Sequence, residues 1–125
     1  MDTAPDALLL QTSVALFALA ALGGLAMATI RFARGVNPPA WLAMLHGLLA
    51  ASGLTLLAYH VCVHGAGAAA TAALVLFLAA AAGGATLSLR YKWNRLLLPP
   101  WLVVAHALVA IAGFASLLYA AFSSG

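Results

Sequence analysis

Charged residues are scarce in this sequence, and acidic ones are almost absent. Only 6% of its 125 residues are charged, and Asp2 and Asp6 are the only carboxylates. Both lie in the short leader before the first apolar run, so no acid pair is available for glycosidic or proteolytic chemistry. No serine belongs to a recognisable Ser–His–Asp set either. The sequence therefore lacks the residues of the usual hydrolytic mechanisms.

Cysteine is equally scarce. The single residue Cys62 leaves no internal disulfide and no thiolate cluster. A zinc site needs three or four protein ligands, and His46 and His106, inside the apolar runs, have no third ligand at their depth. Haem iron is different, because the porphyrin supplies the other donors and two histidines are enough.

Long apolar runs are what the sequence has in abundance. Hydrophobic residues make up 66% of the chain, and four runs reach the roughly 20 residues that cross a bilayer, at about 7–31, 39–61, 66–90 and 100–122. They are too long and too uniformly apolar for the strands of a membrane β-barrel. They predict one all-α integral membrane domain over residues 1–125, an up-down bundle of four transmembrane helices in a lipid bilayer.

The few basic residues indicate an orientation. All five lie in two short loops, as Arg31, Arg34, Arg90, Lys92 and Arg95. The positive-inside rule places both loops in the cytoplasm and both termini outside, in what we expect to be a bacterial inner membrane. The net charge of +3 then reflects topology and not nucleic-acid binding. The leader Met1–Asp6 carries no basic side chain, which argues against a cleavable signal peptide.

An internal repeat with a period of sixty covers nearly the whole chain, as about 7–65 and 66–125. The matched positions are Phe17 and Phe77, Gly23-Gly24 and Gly83-Gly84, Pro39 and Pro99, Trp41 and Trp101, His46 and His106, Gly53 and Gly113, and Tyr59 and Tyr119. Two spans per repeat keep both halves in one orientation, so a parallel two-fold repeat about the membrane normal is predicted.

Each repeat carries one histidine inside an apolar run, with an alanine four residues later and a glycine seven residues later. The two sets are His46, Ala50 and Gly53, and His106, Ala110 and Gly113. At about 3.6 residues per turn, the members of each set share one helix face. The small residues Ala50, Gly53, Ala110 and Gly113 are expected to leave the width that a macrocycle needs beside each histidine. Histidine is costly in hydrocarbon, so two at matched depth predict a shared ligand. We expect one haem b, with His46 and His106 as its axial ligands.

Further residues are expected around this layer. Gly23-Gly24 and Gly83-Gly84 are predicted at the depth of the histidines, where glycine lets a macrocycle or a neighbouring helix approach closely. Ordinary helix packing explains such glycines equally well. Arg31 and Arg90 are expected to pair with haem propionates, although membrane topology alone accounts for basic loops as well.

With these residues the chain resembles a small b-type membrane cytochrome. His46 and His106 with the downstream Gly53 and Gly113 are similar to the four-helix haem cores of cytochrome b and cytochrome b561. The resemblance implies one-electron transfer with a quinone or a larger redox complex. The spacing of fourteen between His46 and His60 also resembles the two-haem ligand spacing of cytochrome b, but Ala120 stands at the matching position. A second haem therefore lacks its partner ligand.

Two other functions remain open from the sequence. The chain is alternatively a cofactor-free accessory subunit of a larger membrane complex, or a small transporter or proton relay that uses the two histidines as titrating groups. His60, Cys62 and His64 lie together near the outer end of the second span. They are most simply interfacial residues, although a pair of histidines four apart can begin a metal site. The sequence also leaves open a homo-oligomer.

Overall fold

Four long helices account for nearly all of the computed structural model, which describes residues 4–123. They are α1 (Ala4–Arg34), α2 (Ala40–His64), α3 (Ala68–Thr86) and α4 (Pro100–Phe122), and α3 continues as a π-helical turn over Leu87–Lys92. The predicted all-α architecture is confirmed, with no strand in the described part of the chain. The last helix has the predicted limits, whereas α1 and α2 run past theirs.

Proline sets the starts of two helices. Pro39 precedes α2 and Pro99 precedes α4, both with extended backbone. Pro100 occupies the first turn of α4, where its missing N–H is not needed. Helix α1 ends at Arg34 and is followed by Gly35, whose φ of 67° is a left-handed conformation that glycine adopts without strain.

The helices form an up-down bundle made of two hairpins. Helices α1 and α2 pack closely along their length, as do α3 and α4, while α1 also touches α4 and α2 touches α3. Helices α2 and α4 therefore lie diagonally across the bundle, as the short connections predicted. We call the end with the α1–α2 and α3–α4 loops the basic end, and the opposite end the terminal end.

All four helices are long and apolar enough to span a membrane. Their outward faces carry exposed leucine, valine and phenylalanine side chains along their length. Several exposed hydroxyls donate to the main-chain carbonyl four residues earlier, which satisfies them without water. These are the side chains of Thr29, Ser52, Thr55, Thr71, Thr86 and Ser116.

The packed core occupies the terminal half of the bundle. Phe17 and Phe77 stack face to face at its centre, with ring centroids 3.7 Å apart and planes within 4° of parallel. Leu57 and Leu117 are completely buried beside them. The basic half is different, because no side chain is buried at positions 21–30, 43–52, 81–86 and 100–112. The two predicted ligand histidines lie in this half.

The two loops at the basic end are joined by hydrogen bonds. Asn37 donates to the carbonyl of Leu96 at 2.8 Å and accepts from the N–H of Leu98 at 2.9 Å. The buried Arg31 donates through Nε to the carbonyl of Leu98 at 2.8 Å. Lys92 donates through Nζ to the carbonyl of Pro38. These bonds fix the α1–α2 loop against the α3–α4 loop.

A Schellman motif ends the π-helical turn after α3. The N–H of Leu96 donates to the carbonyl of Tyr91 at 2.8 Å, and the N–H of Arg95 donates to that of Lys92 at 3.0 Å. In this motif the first residue after the helix cap, whose own N–H makes the shorter-range bond, normally adopts a left-handed conformation and is usually glycine. Here it is Arg95, with φ of 57°, sixty positions after Gly35 in the same conformation.

We expect Arg95→Gly to stabilise the fold. A non-glycine residue in the left-handed region costs roughly 1–2 kcal/mol, part of which the greater chain entropy of unfolded glycine offsets, so a gain of about 1 kcal/mol is expected. Thermal unfolding in detergent measures this gain as a higher midpoint. Gly35→Ala is the matched control, because a Cβ there meets nothing within 4 Å and introduces only the strain. It should lower the midpoint. Equal midpoints for both variants and the parent protein would contradict this account of the turn.

Candidate functional site

His46 is fixed by a main-chain carbonyl of the neighbouring helix. Its Nδ1 lies 2.7 Å from the carbonyl oxygen of Ala20 in α1. A carbonyl only accepts, so Nδ1 carries the proton and donates, and in the neutral ring the lone pair then belongs to Nε2. Metal-bound histidines are typically held in this way, with one ring N–H donated to a carbonyl and the other nitrogen presented to the metal.

His106 makes the same contact sixty positions later. Its Nδ1 lies 2.7 Å from the carbonyl oxygen of Ala80 in α3. Each hairpin therefore fixes one imidazole in the same tautomer through its own partner helix. Both rings are half-buried. Only fully buried polar atoms need a hydrogen-bond partner within the protein, so Nε2 of each ring does not need one in the packed core.

The two imidazoles lie close to each other across the bundle. Their ring centroids are 6.1 Å apart and their planes are inclined by 70°. Two imidazoles on opposite sides of one metal ion would have centroids roughly 6 Å apart, given metal–nitrogen bonds of about 2 Å. The observed spacing therefore matches the one that axial ligation of a single iron requires.

The glycine pairs make room for the imidazoles. A Cβ on Gly24 would lie 3.1 Å from Cε1 of His46, and one on Gly84 would lie 3.2 Å from Cε1 of His106. Gly23 and Gly83 are further away, with the nearest ring or Cβ atom of the same histidines at 3.7 Å and 3.6 Å. These glycines lie in the histidine layer, as the sequence indicated, and the side chains they contact are the histidines themselves.

We expect Gly24→Ala to displace the His46 ring, because the new methyl carbon would lie 3.1 Å from Cε1, which is closer than ordinary van der Waals contact. Second-shell changes of this kind typically weaken metal binding about tenfold or more. Gly23→Ala is the matched control on the same helix, since its Cβ would make only an ordinary contact at 3.7 Å. Titration of the purified variants with haem measures the difference. Equal haem affinities for the two variants would contradict the expectation that haem binding depends on where the His46 ring lies.

The glycines seven residues after each histidine have a neighbour that the sequence did not indicate. A Cβ on Gly53 would lie 2.9 Å from Cδ2 of Phe17, and one on Gly113 would lie 3.3 Å from Cδ1 of Phe77. The space beside these glycines is occupied by the stacked phenylalanine rings. Ala50 packs against the same core, and Ala110 is half-buried. The phenylalanine stack therefore bounds the histidine layer on its terminal side.

The two arginines expected near propionates differ in their surroundings. Arg31 is buried and bound through Nε to the carbonyl of Leu98, so its guanidinium is fixed between the loops. Arg90 is exposed on the π-helical turn. Only Arg31 is therefore held at a defined position above the histidine layer.

A second polar cluster lies at the terminal end, where it depends on a contact between the ends of two helices. The buried carboxylate of Asp6 lies 2.7 Å from Nδ1 of His64. The His60 ring lies 6.0 Å from that of His64, centroid to centroid. Helix α2 extends past its predicted end to His64, which brings this side chain to the start of α1. No group of three or more His, Cys, Asp or Glu side chains that could hold a metal ion occurs among residues 4–123.

Comparison with known proteins finds no match for this chain. The chain matches no protein-family model, no curated protein and no solved structure. The function must therefore be inferred from the site itself.

Proposed function

We propose that the chain is an integral membrane protein that binds one haem b and transfers single electrons. In this proposal α1–α4 span the membrane as two repeats of one hairpin, with the basic end in the cytoplasm and both termini outside. A bacterial inner membrane is the expected location. The observation that most supports haem binding is the histidine pair: two imidazoles 6.1 Å apart, each with Nδ1 donating to a carbonyl and Nε2 left as the ligand atom.

The residues present fit the group in three respects. His46 and His106 supply both axial nitrogens, Gly24 and Gly84 allow the rings their positions, and no side chain is buried in the surrounding layer. Haem supplies one-electron redox chemistry when bound. Because the chain provides both axial ligands, it leaves no open coordination position for oxygen activation, and electron transfer is the favoured role.

In this function the protein holds the haem in position and separates it from both ends of the bundle. The Phe17–Phe77 stack closes the layer toward the terminal end, and Arg31 with the joined loops closes it toward the basic end. A site shielded on both sides favours an electron carrier over an enzyme with a substrate pocket. The small chain is then expected to work with a quinone, within a larger redox complex or as a homo-oligomer.

The packed core argues against the transporter alternative. A proton relay through His46 and His106 needs a water path to the terminal end, but Leu57 and Leu117 are fully buried there beside the phenylalanine stack. The accessory-subunit alternative does not require two half-buried histidines in the same tautomer to lie with their ring centroids 6.1 Å apart. Haem binding explains both the tautomers and the spacing.

Stoichiometry tests the proposal directly. The protein is purified in detergent, freed of haem and titrated with ferric haem while the visible absorbance is recorded. We expect saturation at one haem per chain. Binding that rises linearly without saturation, or that saturates equally well with a free-base porphyrin lacking iron, would overturn the assignment of the histidines as axial ligands.

A further inference from the structure

The basic end carries a concentration of positive charge that no acidic side chain among residues 4–123 balances. All five basic residues lie there, and no acidic residue follows Asp6 in the sequence. Arg31 and Lys92 are bound to the carbonyls of Leu98 and Pro38, which are neutral and leave the cations uncompensated. Arg34, Arg90 and Arg95 are exposed. We call these five cations, together with Asn37, the basic platform.

The platform is rigid, and it is bordered by aromatic side chains. Asn37, Arg31 and Lys92 join the two loops, so the cations are carried on one fixed surface. All three tryptophans of the chain lie at this end, and Trp41, Trp93 and Trp101 are 66%, 81% and 67% exposed. Exposed tryptophan is typical of the depth at which lipid headgroups meet the hydrocarbon.

Arg95 indicates that the charge serves more than orientation. The position needs a left-handed residue, and the first hairpin uses Gly35 at the equivalent place. An arginine there is held at a conformational cost that glycine would avoid. A loop that needed only a turn would not require a cation at this position, because the other basic residues already satisfy the positive-inside rule.

We propose that the basic platform is a binding site for the phosphate group of an anionic phospholipid. Phosphodiester headgroups lie at the depth of the tryptophans, and basic pockets between transmembrane helices on the cytoplasmic side are suited to them. The inference does not rest on haem, since it uses charges and loop contacts outside the histidine layer. It commits to a membrane lipid, and free inorganic phosphate is distinguished from it below.

Tryptophan fluorescence provides the measurement, because all three tryptophans border the platform. The protein is reconstituted into phosphatidylcholine vesicles at fixed haem content. Part of the lipid is replaced by brominated phosphatidylglycerol, which quenches tryptophan fluorescence on contact. Brominated phosphatidylcholine is the reference lipid. We expect stronger quenching by the anionic lipid at equal mole fraction, and a loss of about fivefold in this preference for each cation removed.

Arg95→Gly separates lipid binding from folding. It should raise the unfolding midpoint and yet weaken the anionic preference, which a purely structural role of Arg95 would not do. Arg95→Lys keeps the charge and should retain most of the preference. The double variant R34Q/R95G should lose it further. Unchanged preference in R34Q/R95G, or displacement of the lipid by millimolar inorganic phosphate, would overturn the proposal.

Discussion

Replacing either His46 or His106 by alanine should abolish tight haem binding. Each histidine supplies one axial nitrogen, and its Nδ1 contact with Ala20 or Ala80 fixes the direction of the other nitrogen. Changes to residues that merely orient a ligand cost about 10- to 100-fold in metal affinity, so loss of the ligand itself should cost more than about 100-fold. Haem content after purification and titration of the apoprotein measure the effect.

His60→Ala is the control for this experiment. His60 lies on the same helix as His46 but at the terminal end, and its Nδ1 makes no hydrogen bond within the described residues. Alanine already stands sixty positions later, at residue 120. The variant should bind haem as the parent protein does. Added imidazole should restore part of the haem binding in His46→Ala. Stoichiometric, low-spin haem in both His46→Ala and His106→Ala would refute the ligand assignment.

Gly53→Val should strongly destabilise the bundle. Even the Cβ would lie 2.9 Å from the Phe17 ring, and that ring cannot retreat because it is stacked on Phe77 with centroids 3.7 Å apart. Phe77 in turn lies close to Gly113, where a Cβ would be 3.3 Å from its Cδ1. Overpacking a closed core typically costs 1–3 kcal/mol, and we expect at least about 2 kcal/mol because valine adds further methyl groups.

Gly47→Val provides the matched control on the same helix. A Cβ at Gly47 meets nothing within 4 Å and the residue is exposed, so the same change of residue adds its methyl groups at the surface of the bundle. Thermal unfolding of both variants in one detergent gives the comparison. We expect a clearly lower midpoint for Gly53→Val and a nearly unchanged one for Gly47→Val. Similar midpoints would show that Phe17 can move and that the stack is not closed.

The sequence was sufficient to predict the helices and their arrangement. Runs of about 20 apolar residues leave few alternatives to helices, and the prolines set the starts of α2 and α4. The up-down order made α2 and α4 diagonal, which placed His46 and His106 on opposite sides of the bundle interior. Matched spacing from Pro39 and Pro99 then put the two rings at one depth.

What the sequence could not predict depends on side-chain directions across helices. Gly53 and Gly113 were interpreted as room for a macrocycle, but the rings of Phe17 and Phe77 turn toward them. Periodicity gives the face of a helix and not the neighbour that fills it. The Asp6–His64 contact was missed for a similar reason, because it depends on helix ends three residues beyond the predicted limit of 61. The unusual turn at Arg95 has no local signal, since arginine is not expected there.

The most direct test of the account is a reduced-minus-oxidised visible difference spectrum of the protein purified in detergent after expression with ample haem. Two histidine ligands predict the sharp bands of a low-spin b-type haem, unchanged when carbon monoxide is added to the reduced protein because no axial position is open. A flat spectrum, or bands that shift with carbon monoxide, would contradict the proposal that His46 and His106 ligate one haem.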